Sequence, residues 1–261
     1  MSTVELQIAE RSRKFKDEPL TNLSQFITTD LLHKGFRELN KYSSKGTDGE
    51  NWFDYALEIQ ERLPSLISEF KSGRYKAPPI RRVYIPKDKT GKRPLGIPTI
   101  EDKVLQSGVR KVLDPVYEEI FKDFSYGFRT DRSCHQAIED MFQKVSFGGM
   151  RYIIDADIQN YFGSINHGKL RKFLDIRVKD GIIRKMLDKW LKAGILEDEQ
   201  LSYPEQGTPQ GGIISPLLSN IFLHYVLDEW FSEVIKPRLK GRSFIVRYAD
   251  DFVLGFEYAE D

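Results

Sequence analysis

The sequence predicts an α+β fold, and three observations predict it. Two segments ahead of residue 75, LTNLSQFITTDLLHKGFRELNKY and WFDYALEIQERLPSLISEFKSG, carry apolar residues at helical spacing. Two later segments, RYIIDADI and FIVRYADDFVLGF, are rich in β-branched and aromatic residues, as strands are. Helical and strand-like segments then mix without strict alternation, which disfavours a doubly wound sheet.

Each element follows in order. The first two helical segments are separated by the turn-like SSKGTDGEN. From Lys71 to Arg93 the segment KSGRYKAPPIRRVYIPKDKTGKR sets nine Lys and Arg against the single acid Asp88, with two β-like stretches meeting around Thr90-Gly91. Helices are expected across EDKVLQSGVRKVLDPVYEEIF and SCHQAIEDMFQKV, followed by the strand RYIIDADI, more helix from His167 to Gly194, and a Gly-rich turn. The next helix begins near Ser215, read as its cap, with Pro216 in the first turn. The final piece reads as a strand ending at Ala249, a tight turn at Asp250 and Asp251, and a strand from Phe252 to Phe256.

A chain of 261 residues can bury a sizeable core as one large domain or as two subdomains. Its 40 Lys and Arg against 39 Asp and Glu leave a net charge of +1, so a polyanionic partner must be argued from where the charges sit. Cys134 is the single cysteine, which excludes an internal disulfide framework and a cysteine-cluster zinc site and fits a reducing compartment. No apolar run reaches membrane-spanning length, and the first segment is charged from its fifth residue. The expectation is a cytoplasmic protein without a membrane partner.

Chemistry concentrates in three places. Asp250 and Asp251 stand side by side in an otherwise apolar run, where burial penalises each charge unless a cation compensates it. Asp155 and Asp157, two apart on a strand, face one side of it. If the two strands are neighbours, Asp157 meets Asp250 at one sheet end, and Mg²⁺, which takes oxygen ligands and keeps positions open for phosphate, is the natural counter-ion. The bland alternatives are a solvated hairpin turn for the pair and a loop cap for Asp157. In QGTPQGGIISP, Gly211 and Gly212 allow positive φ and close backbone approach, and Gln210 can both donate and accept hydrogen bonds.

Five ordered stretches, VYIPKDKTGKRPLGIPTIEDKVLQ, SYGFRTDRSCHQAI, IDADIQNYFGSI, GTPQGGIISPLLSNIFLHYVLD and RYADD, resemble reverse transcriptases of the group II intron type, the intron-encoded maturases and their relatives. The resemblance covers roughly residues 20 to 258. It implies a right-hand polymerase architecture of fingers and palm, with an antiparallel palm sheet backed by helices and the thumb absent from this stretch. The segments it implies are an N-terminal extension and fingers over 1–100, a first palm part over 101–167, a fingers return over 168–214 and a second palm part over 215–261.

Residue by residue, the resemblance makes Asp157 and Asp250 metal-binding aspartates, Asp251 the second acid of the pair, and the main-chain carbonyl of Ile158 a further metal ligand. It implies two Mg²⁺ ions, with Mn²⁺ as a substitute. Asp155 resembles a supporting acid and reads as a rim carboxylate. Phe162 resembles the aromatic that closes the sugar pocket against a ribose 2′-hydroxyl. Lys87 and Arg93 resemble the fingers residues that grip the triphosphate, and Gln210 and Gly211 lie beside the incoming dNTP. Arg81, Arg82, Lys89, Lys92 and Arg129 are assigned to nucleic acid, while Tyr75, Tyr84 and Phe128 could stack on bases or pack in the core. The chain departs from the family with Gln159 where Lys is common, Gly163 where Asp is common, and Thr130 where Pro is frequent.

The function implied is RNA-directed DNA polymerisation by two-metal nucleotidyl transfer, with an RNA template, a DNA primer and dNTP as partners and intron RNA as a further one. The alternative is an RNA-binding maturase scaffold in which polymerase chemistry is incidental or lost. These 261 residues alone are expected to polymerise weakly or not at all.

Overall fold

The computed structural model describes residues 3–86, 91–208 and 211–261. Helix α1 (Thr3–Lys14) opens the chain, followed by α2 (Thr29–Glu38) and α3 (Trp52–Lys71). Side-chain caps fix where these begin. Thr28 accepts from the Leu31 amide, and Asn51 forms a reciprocal capping box with Asp54. Strands β1 (Ile80–Pro86) and β2 (Lys92–Ile97) then pair as an antiparallel hairpin.

Helix α4 (Ile100–Glu118), capped by Thr99, is the centre of the main core. Val104, Leu105, Val109, Val112, Leu113 and Val116 are all fully buried on it. A helix apolar around most of its circumference must be wrapped by others. Here α1, α2 and α3 pack on it from the N-terminal side, and the later α8 and α9 share the same core.

Helix α5 (Cys134–Phe147), started by a Ser133–Gln136 capping box, leads into β3 (Tyr152–Asp157). The short α6 (Tyr161–Ser164) follows. The helical stretch expected from His167 to Gly194 consists of two helices, α7 (His167–Arg177) and α8 (Gly181–Leu191). Their separation has a cause: Asp180 caps α8 through the Ile182 and Ile183 amides and also accepts from Ser24, while Val178 bridges to Leu20.

Two short strands that sequence reading had not separated, β4 (Ile195–Glu197) and β5 (Gln200–Ser202), form a hairpin. Strand β4 runs parallel to β1, giving a four-stranded sheet in the order β2-β1-β4-β5. Helix α9 (Ser215–Leu223) continues with π geometry through His224–Asp228 and Trp230–Ile235. Ser215 lies inside this helix and does not cap it. The N-cap position belongs to Ile214, whose amide donates to Gln106 Oε1 of α4 instead.

The last strands, β6 (Ser243–Tyr248) and β7 (Asp251–Phe256), complete an antiparallel sheet in the order β3-β7-β6. A smaller core of Tyr126, Ala137, Phe244 and Val246 attaches it to α5. Strand β3 lies at the end of this sheet, and Tyr152, Ile153 and Ile154 on it are exposed. Among the described residues no helix is long and apolar enough to cross a membrane.

Candidate active site

Strand pairing brings the acids together. Asp157, the last residue of β3, sits directly opposite Asp251, the first of β7. The pairing of Tyr248 with Asp251 leaves Ala249 and Asp250 as a two-residue loop. The turn is therefore displaced by one residue from its expected position: Asp251 belongs to the strand, and Ala249 takes the left-handed conformation with φ 58°.

The loop is held from below. Arg247 is fully buried and donates from Nη1 to the Ala249 carbonyl (2.9 Å) and to Asn220 Oδ1 (3.0 Å). Its Nη2 donates to Ser125 Oγ (2.7 Å) and to Asp228 Oδ2 (2.5 Å). Gly127 supplies the remaining wall, for a Cβ there would lie 2.3 Å from the Ala249 nitrogen.

Asp157, Asp250 and Asp251 line one open cavity of about 980 Å³. Lys92, Arg93, Ile158, Phe162, Gly211 and Phe128 line it as well. Desolvation first, and then the neighbouring charges of Asp250, Asp157 and Asp155, raise the Asp251 pKa above the ordinary carboxylate value, while Arg93 acts the other way. Repelling carboxylates at the rim of a sheet are a donor set that a hard cation relieves.

Among the described residues no group of three or more His, Cys, Asp or Glu side chains is arranged to hold a metal ion by itself. Mg²⁺ does not require one, because it is held by one or two carboxylates and completed by waters and substrate phosphates. Two carboxylates on this cavity, Asp157 and Asp250, match the number that such binding uses.

The opposite walls are positioned as firmly. Phe162 in α6 is half-buried, and its carbonyl accepts from Thr208 (2.8 Å), tying it to the Gly-rich segment. Its neighbour Tyr161 is anchored by a hydrogen bond to the Ser219 carbonyl of α9 (2.7 Å). Gly211 has φ 106°, and a Cβ there would come within 2.4 Å of the Gly96 carbonyl of β2. A side chain at Gly211 would therefore push the loop off the hairpin.

Other candidates lie elsewhere. Arg129 has a side chain 4% exposed, bonded to Glu118 and to the Lys122 and Ser125 carbonyls, so its cation is spent inside the fold and does not face nucleic acid. Tyr75 is core, donating to buried Asp102, which removes it from base stacking. Arg81 donates to the Lys45 carbonyl, and Arg82 lies 3.5 Å from Glu197. Tyr84 is exposed and bonds to Glu197. Asp155 is exposed two residues before Asp157 on β3. Lys87, Lys89 and Gln210 lie outside the described residues. Arg247 and Asp228 were missed by sequence reasoning; the signal was an arginine inside the apolar strand FIVRY.

Helices behind an antiparallel sheet, with carboxylates at its end facing a basic hairpin, define the fingers and palm of a right-hand polymerase. The chain belongs to the reverse transcriptase family, the RNA-dependent DNA polymerases, whose model matches residues 85–261. The relatives it resembles include group II intron-encoded proteins. It is 39% identical over 222 residues to the group II intron-encoded protein LtrA of Lactococcus lactis, covering 84% of this chain and 36% of the relative. Protein YkfC of Escherichia coli K12 is 36% identical over 237 residues, covering 80% of this chain and 62% of the relative. This chain thus spans about a third of the first relative and under two thirds of the second. A solved Cas6-RT-Cas1–Cas2 complex shares the fold, with a TM-score of 0.54 at 22% identity over 92% of this chain and 39% of that one.

Proposed function

We propose that the chain is the fingers and palm of an RNA-directed DNA polymerase that joins a dNTP to a primer 3′-hydroxyl on an RNA template. The observation that carries this reading is the shared cavity of Asp157, Asp250 and Asp251 with Arg93, Phe162 and Gly211. Two Mg²⁺ ions, or Mn²⁺ in their place, would supply charge neutralisation and a lowered pKa for the attacking hydroxyl. Asp157 and Asp250, with the Ile158 carbonyl, would hold them.

The chain's own residues do the rest. Arg93 offers a guanidinium to phosphate oxygens, and its charge offsets the negative charge that grows on the departing pyrophosphate. Lys87 is assigned the same task and Gln210 the side of the incoming base. Phe162, on the wall of the cavity, is assigned to the sugar, where its ring would leave a 2′-hydroxyl no room. Gly211, with no side chain, lets the backbone reach the nascent base pair. Lys92 and Arg82 attract the phosphodiester backbone, and Lys89 is assigned to it as well. Intron RNA is a further partner in this reading, carried by the intron-encoded relatives.

Primer extension on an RNA template at low salt tests it. Asp250→Ala and Asp157→Ala should each abolish extension while leaving RNA binding intact. Extension that survives either substitution refutes the assignment. Intron splicing that persists in the same variants would separate an RNA-scaffold role from polymerisation.

A further inference from the structure

A second, smaller cavity of about 260 Å³ adjoins the catalytic one, and Pro94 and Asn160 border both. Ile80, Ile195 and Pro204 form apolar walls, while Gln206, Thr208 and Arg82 contribute polar groups. At this size it takes a fragment, since drug-sized pockets begin at about 300 Å³.

One of these groups is unsatisfied. Thr208 is 5% exposed, and its Oγ1 has no hydrogen-bond partner. Buried hydroxyls are nearly always paired, so an orphan points to a missing partner. Thr208 is also rigidly placed, because its amide donates to the Phe162 carbonyl and the preceding Gly207 is packed against the Phe162 and Gly163 carbonyls with φ 89°.

Beyond the cavity the surface turns basic. Pro79, Gly194 and Tyr203, the chain neighbours of Ile80, Ile195 and Pro204, line a third depression of about 520 Å³. Lys76, Lys185 and Lys192 stand exposed on it. Its one acid, Asp188, is paired with Arg171 at 2.5 Å and with Lys192 at 3.5 Å, a solvent-exposed i,i+4 pair that a phosphate can replace. Lys189 donates to the Gly73 and Tyr75 carbonyls and holds the fold together there.

We propose that the Thr208 cavity is a base subsite for the single-stranded template next to the catalytic cavity, with the following phosphates running over Lys76, Lys185 and Lys192. The inference rests on the polymerase reading for which strand crosses the catalytic cavity. A nucleobase matches the lining: its faces meet Ile80, Ile195 and Pro204, and its polar edge meets the Thr208 hydroxyl and the Gln206 amide. A wholly apolar ligand would leave Thr208 unpaired.

The test uses primer–RNA template duplexes carrying 2-aminopurine at successive unpaired template positions. Fluorescence should change on binding at one position. Thr208→Val, which is isosteric, should diminish that change, and Ile195→Trp, which fills the cavity, should abolish it, with thermal melts confirming that each variant folds. Should Ile195→Trp fail to fold, Thr208→Val decides alone. Lys185→Glu combined with Lys192→Glu should weaken binding at every position and flatten the salt dependence by a slope of about 1.4.

Equal fluorescence at all positions, a specific signal unaltered by Thr208→Val, or no binding by the unsubstituted chain would overturn the subsite. Primer extension in the same mixtures keeps the two readings apart. Extension without a position-specific signal refutes the subsite alone, and a position-specific signal accompanied by extension that Asp250→Ala leaves unchanged refutes the polymerase reading alone.

Discussion

Arg247 and Asp228 form an ion pair from which solvent is fully excluded, with Nη2 2.5 Å from Oδ2 and both side chains 0% exposed. Asp228 lies at the end of the first π-helical stretch after α9, and Arg247 two residues ahead of the acidic turn. The pair thus links the helix behind the palm sheet to the loop that carries Asp250. Arg247→Ala should destabilise the fold by about 3–5 kcal/mol, because it leaves Asp228 buried and alone. Arg247→Met with Asp228→Leu should recover most of that stability while still lacking the tether to the Ala249 carbonyl. Extension by the double variant should stay down by about 10²-fold, the scale of a 1 Å misplacement. Denaturant unfolding and single-turnover extension, measured together, distinguish the two effects.

Asp251 predicts a cation-dependent stability. Its folded-state pKa is raised, so the folded protein favours its protonated form. The sign follows: this acid costs nothing at a pH below its ordinary value and opposes folding once the pH rises through the raised one. Asp251→Asn should melt higher than the parent at neutral pH without divalent ions, and the advantage should vanish near pH 3. Added Mg²⁺ should narrow it by stabilising the parent. An equal gap with and without Mg²⁺ would disconnect Asp251 from any ion.

Phe162 predicts sugar selectivity. Phe162→Val opens the space beside the ribose without touching Asp157, so incorporation of ribonucleotides relative to deoxynucleotides should rise by about tenfold or more. Competition between dNTP and rNTP in primer extension reads the ratio directly. Thermal stability should fall modestly, since the half-buried ring packs against the main core.

Asp102 predicts a stability slope elsewhere. It is buried in α4 and accepts from Trp190 (2.7 Å), Tyr75 (3.1 Å) and Gln106 (2.8 Å), yet desolvation outweighs these bonds and raises its pKa to about 6. The folded state therefore holds this proton more tightly than the unfolded one, and the associated stability, of order 3 kcal/mol, is present below about pH 4 and lost as the pH rises through 6. The stability difference between Asp102→Asn and the parent should climb between pH 4 and 7 and then level off. Because His224, lowered to about 3 by burial, is common to both proteins, its opposing effect cancels in that difference.

The residues legible in the sequence were those whose chemistry is out of place locally. Asp157, Asp250 and Asp251 stand in otherwise apolar runs of sequence, and all three line the cavity together with Arg93, Phe162 and Gly211. What escaped was set by partners distant in the chain. Arg129 reads as a free cation until Glu118 and two carbonyls surround it. The β4–β5 hairpin escaped because three-residue strands around an acidic turn carry no period, and only pairing with β1 gives them a place. Strand ends likewise depend on the partner: the register with Asp157 put Asp251 into β7.

Strand β3 carries a practical consequence. Its outer side, with Tyr152, Ile153 and Ile154 46–51% exposed, lies beside the ladder end of a sheet, the geometry that templates pairing with a second chain. Concentrated samples of these 261 residues should therefore self-associate through β3, raising light scattering as concentration grows. A lysine in place of Ile153 should keep the preparation monodisperse in sedimentation, since a charge at such a position is how natural sheets discourage unwanted stacking end to end.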